Sequence, residues 1–226
     1  MATQLDLQEQ EQLDALKSFW KNYGNLVTWL LILALTAYAG WNGWNWYQRD
    51  QAVKAGAMFD ELDRAVTAGD ADKAGRIFTD LRERFPRTAF AQQGGLAAAR
   101  LQFEKGQIDA AKASLAWLAD NAVEDEARTI ARLRLAGLYF DAKQYDQALQ
   151  QVDAAKAAGF EALAADRRGD VLAAQDKKAE AVAAYQTAWK LMDPTVDYRR
   201  LIDAKLTALG AAPEAPATPA AAEAAR

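Results

Sequence analysis

Residues 99–120 read ARLQFEKGQIDAAKASLAWLAD, and the same arrangement returns three more times along the chain. Residues 63–86 read DRAVTAGDADKAGRIFTDLRERFP, residues 136–157 read AGLYFDAKQYDQALQQVDAAKA, and residues 169–194 read GDVLAAQDKKAEAVAAYQTAWKLMDP. Each holds a turn position (Gly69, Gly106, Lys143 or Asp176) and an alanine five residues on (Ala74, Ala111, Ala148 or Ala181). A bulky residue follows one helical turn after the alanine: Phe78, Leu115, Val152 or Tyr185. The alanines are 37, 37 and 33 residues apart, near the period of about 34 residues that marks a helix-turn-helix solenoid. Such units bury a continuous core only by stacking on one another. The spacing therefore predicts an all-α fold. An ordinary alanine-rich helical bundle is the alternative, because alanines at helical spacing also arise by chance in this composition.

These segments resemble tetratricopeptide repeats. In that family a small residue in the second helix lets the paired helix approach, a large apolar residue fills the gap one turn later, and a proline ends the unit. Pro86 and Pro194 stand where the closing proline would, and Ala99, Ala136 and Gly169 match the small residue of the first helix. The family's first-helix Trp is missing, its aromatic survives only at Tyr139, and Leu62 occupies the small position of the first unit. Three well-formed units and one degenerate unit are expected. Residues 195–209 place Tyr198, Leu201, Ile202, Lys205, Leu206 and Leu209 at helical spacing, as the closing helix of a solenoid would. Beyond Gly210, AAPEAPATPAAAEAAR holds three of the five prolines and no large apolar residue, so a disordered Ala/Pro tail is expected.

Upstream of the repeats, residues 26–47 read LVTWLLILALTAYAGWNGWNWY. No Asp, Glu, Lys or Arg occurs between Lys21 and Arg49, a run of 27 positions, whereas crossing a hydrocarbon core takes about 20 apolar residues. Trp20 and Tyr23 flank the apolar run on one side and Trp41, Trp44, Trp46 and Tyr47 on the other, as rings at two headgroup levels would. A transmembrane helix is expected. A cleaved secretory signal is the alternative, since Ala37-Tyr38-Ala39 fits the small-x-small cleavage pattern; the long acidic lead with Asp6, Glu9, Glu11 and Asp14 argues against it. Lys17 and Lys21 balance Arg49, Lys54 and Arg64 across the span, so positive charge leaves the orientation open. The expected organisation is a short tail at 1–24, a transmembrane helix at 25–47, a repeat domain at 48–210 and the Ala/Pro tail at 211–226.

Composition narrows the function classes. The chain has 226 residues, no Cys and no His, which removes thiolate nucleophiles, disulfides and the commonest general base and metal ligand. Its 31 acidic residues stand in no recognisable catalytic motif. The middle of the chain, 22–210, carries 24 basic and 25 acidic residues, without the net positive charge that a nucleic-acid site requires. No enzymatic activity, cofactor, metal, small-molecule substrate or nucleic-acid partner is expected. What remains is a protein-binding surface held at a membrane lipid bilayer.

A helical solenoid binds a partner segment along the concave face formed by its first helices. Arg100, Phe103 and Phe140 stand one or four residues after the small first-helix residue, where such a groove would be lined. Packing between repeats explains Phe103 and Phe140 better than a groove does, and a solvated charge explains Arg100 equally well. Arginine groups at 82, 84 and 87, at 128, 132 and 134, and at 167 and 168 alternate with acids, as exposed helix faces do. In the span, Thr36, Gly40 and Gly43 fall at i, i+4 and i+7 and form one small-residue face, as close helix packing in lipid prefers.

The order of features resembles one bacterial family. LDALKSFWKNYGN before the span, GWNGWNWYQRDQ after it, degenerate repeats and a final RRLIDAKLTAL are similar to the YfgM-type ancillary subunits of the SecYEG translocon. The resemblance covers residues 5–209. It implies an inner-membrane protein with a cytoplasmic amino terminus and a periplasmic repeat domain. It also implies, as partners, the SecYEG translocon and a periplasmic chaperone or foldase of the PpiD type. A periplasmic tetratricopeptide scaffold for envelope assembly, or an exported soluble binding protein with a cleaved signal, would share the same repeats.

Overall fold

Four residues in the left-handed backbone region close four helices at the aligned turn positions. They are Lys143 (φ 58°), Asp176 (φ 61°), Gly69 (φ 71°) and Gly106 (φ 75°). At each, the following amide reaches back to the same helix: Asp70 N donates to the Ala65 carbonyl at 3.0 Å, Gln107 N to Gln102 at 2.8 Å, Gln144 N to Tyr139 at 2.8 Å and Lys177 N to Leu172 at 3.0 Å. This helix-ending motif recurs at all four aligned turns and once more at Gly210, where Ala211 N donates to the Leu206 carbonyl at 2.9 Å; joined at the four turns to a buried alanine five residues on, it makes the four segments repeats of one unit.

The structure is a computed structural model that describes residues 7–213, with side chains from residue 11 onward. Residues 214–226 of the expected Ala/Pro tail, and 1–6 of the amino-terminal tail, lie outside the described residues. The chain divides between Val53 and Lys54 into two units. The helices in order are α1 (Leu7–Thr67), α2 (Ala71–Arg84), α3 (Ala89–Glu104), α4 (Ile108–Asn121), α5 (Asp125–Asp141), α6 (Tyr145–Asp153), α7 (Glu161–Ala174), α8 (Lys178–Leu191) and α9 (Arg199–Ala208). No strand occurs among the described residues.

In the first unit, α1 leaves its large apolar side chains uncovered: Trp29, Leu33, Leu35, Trp41 and Trp46 are all about two-thirds exposed. Among the described residues this is the one helix long and apolar enough to cross a membrane. Apolar surface of that extent needs an apolar solvent, and lipid supplies one. The polar groups inside it are turned back on the helix. Thr28 and Thr36 hydroxyls donate to the Gly24 and Ile32 carbonyls at 2.8 Å, and Asn42 Nδ2 donates to Tyr38 O at 3.0 Å, so these three do not meet lipid unbonded.

In the second unit, residues 54–67 and α2 form the first helix pair, followed by α3 with α4, α5 with α6, and α7 with α8. Leu62 and Ala65 share a core cluster with Ala74 and Phe78; from α2 onward each helix packs on the next in sequence, and α5 also meets α7. Asp70 and Thr88 start α2 and α3 by accepting the Lys73 and Ala91 amides at 2.9 and 3.2 Å, the ordinary work of an N-cap. Ala74, Ala111, Ala148 and Ala181 are all fully buried, and Phe78, Leu115, Val152 and Tyr185 nearly so. Burying a residue such as Phe78 or Leu118 stabilises the fold by about 1.5–3 kcal/mol relative to leaving it exposed. Trp117 joins three core clusters and meets Phe78 edge-on, centroids 5.6 Å apart. The close approach is strictest in the last unit, where a Cβ added at Gly169 would sit 2.4 Å from Tyr185 Cε1. Glycine is the only residue that leaves the Tyr185 ring its place.

The α9 helix closes the stack through a buried polar network as well as through Ile202 and Leu206, which are fully buried. Lys205 Nζ lies 2.8 Å from both oxygens of Asp166 and 2.6 Å from Asp170 Oδ1. Tyr198 donates to Asp166 at 2.7 Å and Tyr185 to Asp170 at 2.8 Å. Burial, and then these hydrogen bonds to the aspartates, push both phenol pKa values up, so both stay protonated donors at ordinary pH. Asp166 is 1% exposed, and an ion that deep survives only with partners.

Two outcomes follow for stability. Lys205→Met leaves Asp166 buried without its cation and should cost about 3–5 kcal/mol in urea unfolding; Lys205→Met combined with Asp166→Asn should recover part of that loss, and a cost below about 1 kcal/mol for the single change would contradict the network's role. Lys143→Gly removes a side chain from a left-handed position and should raise stability by up to about 1 kcal/mol in the same measurement.

Candidate functional site

The first helices of the second, third and fourth pairs share one wall. On α5, Ile130, Leu133, Arg134, Gly137 and Asp141 recur at helical spacing and so lie on one face. Arg100 and Phe103 from α3 and Leu163, Asp166 and Arg167 from α7 continue that wall on either side. Leu115 of α4 forms part of the floor, and Phe160 and Tyr198 close the end. Together they enclose a groove of about 540 Å³. That volume is within the usual range for a binding cleft, about 300–1,000 Å³.

The lining is amphipathic. Phe103 is 48% exposed and Leu163 37%, so both present apolar surface to the groove. Arg100 pairs with Glu104 at 2.8 Å and Arg167 with Asp170 at 3.6 Å, while Asp166 is enclosed by Lys205 and Tyr198. Among the described residues no three Asp, Glu, His or Cys side chains are grouped so as to hold a metal ion. The arrangement can hold a segment of another chain by apolar contact with charged edges.

The structure places the expected residues as follows. Arg100 and Phe103 line the groove. Phe140 does not; it is half-buried, with its ring 6.0 Å from Tyr145 across the turn between α5 and α6. The register carried from α3 to α5 makes Gly137 the equivalent of Arg100, and Gly137 does line the groove, on an α5 face that runs through Ile130, Leu133, Arg134 and Asp141 and leaves Phe140 out. Sequence reading missed Ile130, Leu133, Leu163 and Tyr198. For Ile130, Leu133 and Leu163 the signal is an apolar stripe on the first helices that is indistinguishable in sequence from a core stripe, and Tyr198 stands at the start of the closing helix, where sequence points only to packing.

The arginine groups divide by role. Arg128 and Arg132 strap adjacent helices by donating to the Ala122 and Ala119 carbonyls at 2.7 and 2.9 Å. Arg168 pairs with Asp153, and Arg82 lies 5.7 Å over the Phe78 ring. Arg134 and Arg167 belong to the groove. In the span, a Cβ added at Gly40 or Gly43 would meet nothing within 4 Å beyond the neighbouring residues and the backbone of its own helix, and the Thr36 hydroxyl is committed to Ile32. That small-residue face is open to a neighbour.

Comparison with known proteins agrees with this architecture. The family model of the tetratricopeptide repeat-like domain matches residues 17–211. A protein of Neisseria gonorrhoeae is 31% identical over 204 residues, covering 90% of this chain and 98% of its own length. Proteins of Escherichia coli and Haemophilus influenzae are 30% and 28% identical, each over 80% of this chain and 87% and 89% of their own lengths. All three bear the name ancillary SecYEG translocon subunit. With the span, the four repeats and the closing helix all inside the matched region, the chain belongs to the tetratricopeptide repeat-like family of ancillary SecYEG translocon subunits.

Proposed function

We propose that this chain is a non-enzymatic interaction protein that works beside the Sec translocon, anchored in the inner membrane by residues 25–47. Its amino terminus is cytoplasmic and its repeat domain, 48–210, is periplasmic. There the first-helix groove holds segments of exported chains, or of a periplasmic chaperone of the PpiD type, close to where chains emerge. The observation that carries this reading is the groove itself, with Phe103 and Leu163 left exposed on a wall that three repeats build together. The translocon and the chaperone rest on the resemblance to the ancillary subunits, and the orientation rests on the same resemblance.

Two parts of the chain then have separate tasks, because each is built for a different solvent. The small-residue face of Thr36, Gly40 and Gly43 suits close lateral packing on another membrane helix, and the groove suits a water-exposed segment. Full-length variants separate them. Gly40→Leu with Gly43→Leu should lower recovery of SecYEG from native membranes by about tenfold while leaving the repeat domain's thermal unfolding unchanged. Phe103→Ser with Leu163→Ser should leave SecYEG recovery intact and lower crosslinking to the periplasmic partner by a similar factor. Recovery of outer-membrane assembly machinery in place of SecYEG would favour an envelope scaffold and refute the proposal.

A further inference from the structure

We infer that the groove selects an amphipathic peptide segment carrying carboxylates beside its apolar residues, and that Arg134 is the side chain that reads them. The inference rests on the groove being the binding surface proposed above. Each of three consecutive first helices puts one guanidinium into the lining: Arg100 from α3, Arg134 from α5 and Arg167 from α7. The acids are placed differently. Glu104 and Asp170, which pair with Arg100 and Arg167, stand outside the lining. Asp166 is 1% exposed, with both oxygens bonded to Lys205 and one also to Tyr198, so almost none of it is accessible to an occupant.

Arg134 is exposed and has no ion-pair partner among the described residues. Asp141, the one accessible carboxylate of the lining, follows it by seven residues on α5, about 10 Å along the helix. The Arg100 and Glu104 side chains are 74% and 49% exposed, and so exposed a pair contributes little; a peptide carboxylate can replace Glu104 without much loss. Leu133 and Phe103 beside these arginines exclude water once a peptide is seated. There a guanidinium grips a carboxylate through two parallel N–H bonds, and a lysine-bearing peptide meets like charge instead.

The test uses the full-length chain in lipid nanodiscs and two fluorescent amphipathic peptides with the same leucine and phenylalanine positions. One carries glutamates at its polar positions and the other lysines. Fluorescence anisotropy should show the glutamate peptide binding at least about tenfold more tightly, with the preference shrinking as salt rises. Arg134→Glu should erase or reverse the preference, Arg134→Gln should give an intermediate one, and Phe103→Ser should weaken both peptides alike. Equal binding of the two peptides, or a preference that survives Arg134→Glu, would overturn the inference and leave the groove as an unselective peptide site. Failure of both peptides to bind would overturn the inference together with the use of the groove proposed above.

Discussion

The closeness of two helices at a buried alanine governs everything built on it. Ala74, Ala111, Ala148 and Ala181 are each fully buried, so the second helix of each pair sits near enough to its partner for the next bulky residue to fill the space between them. The left-handed turn residue five positions earlier sets where that alanine falls. Turn, alanine and filler thus act as one unit, and their repetition gives consecutive first helices a common side. The groove is a consequence of that stacking; no single repeat contains it.

The last helix pair of the stack has a closure of its own. The fourth pair has no following repeat, and α9 covers it with two buried aliphatic side chains and a lysine that enters a pair of aspartates. Tyr198 and Asp166 belong both to this closure and to the end of the groove. Closing the solenoid and shaping the binding surface are therefore done by the same residues. The first unit meets a different solvent: Thr28, Thr36 and Asn42 bond back to their own helix and the large apolar side chains are exposed.

Much of this was legible in the chain before any coordinates. The turn residues at 69, 106, 143 and 176 and the alanines at 74, 111, 148 and 181 were readable because backbone geometry and close packing restrict residue type there. The span was readable because 27 positions without charge have few other uses. Repeat register points to Arg100 and Phe103, which line the groove, and to Phe140, which does not and packs its ring beside Tyr145 instead. Leu133 and Leu163 escaped notice because an apolar residue facing a groove and one facing a core leave the same mark in sequence. The Asp166, Lys205 and Tyr198 network joins positions up to 39 residues apart, and no local pattern announces it.

Photo-crosslinking in native membranes tests most directly whether the shared face of the first helices is the working surface. A photoreactive residue would be placed in the full-length chain at Phe103 or Leu163 in the groove, and at Ala113 or Gln186, exposed positions on the second helices α4 and α8. Adducts with other proteins should form from the two groove positions and not from the two second-helix positions. Adducts that form only from Ala113 and Gln186 would contradict the groove as the binding surface.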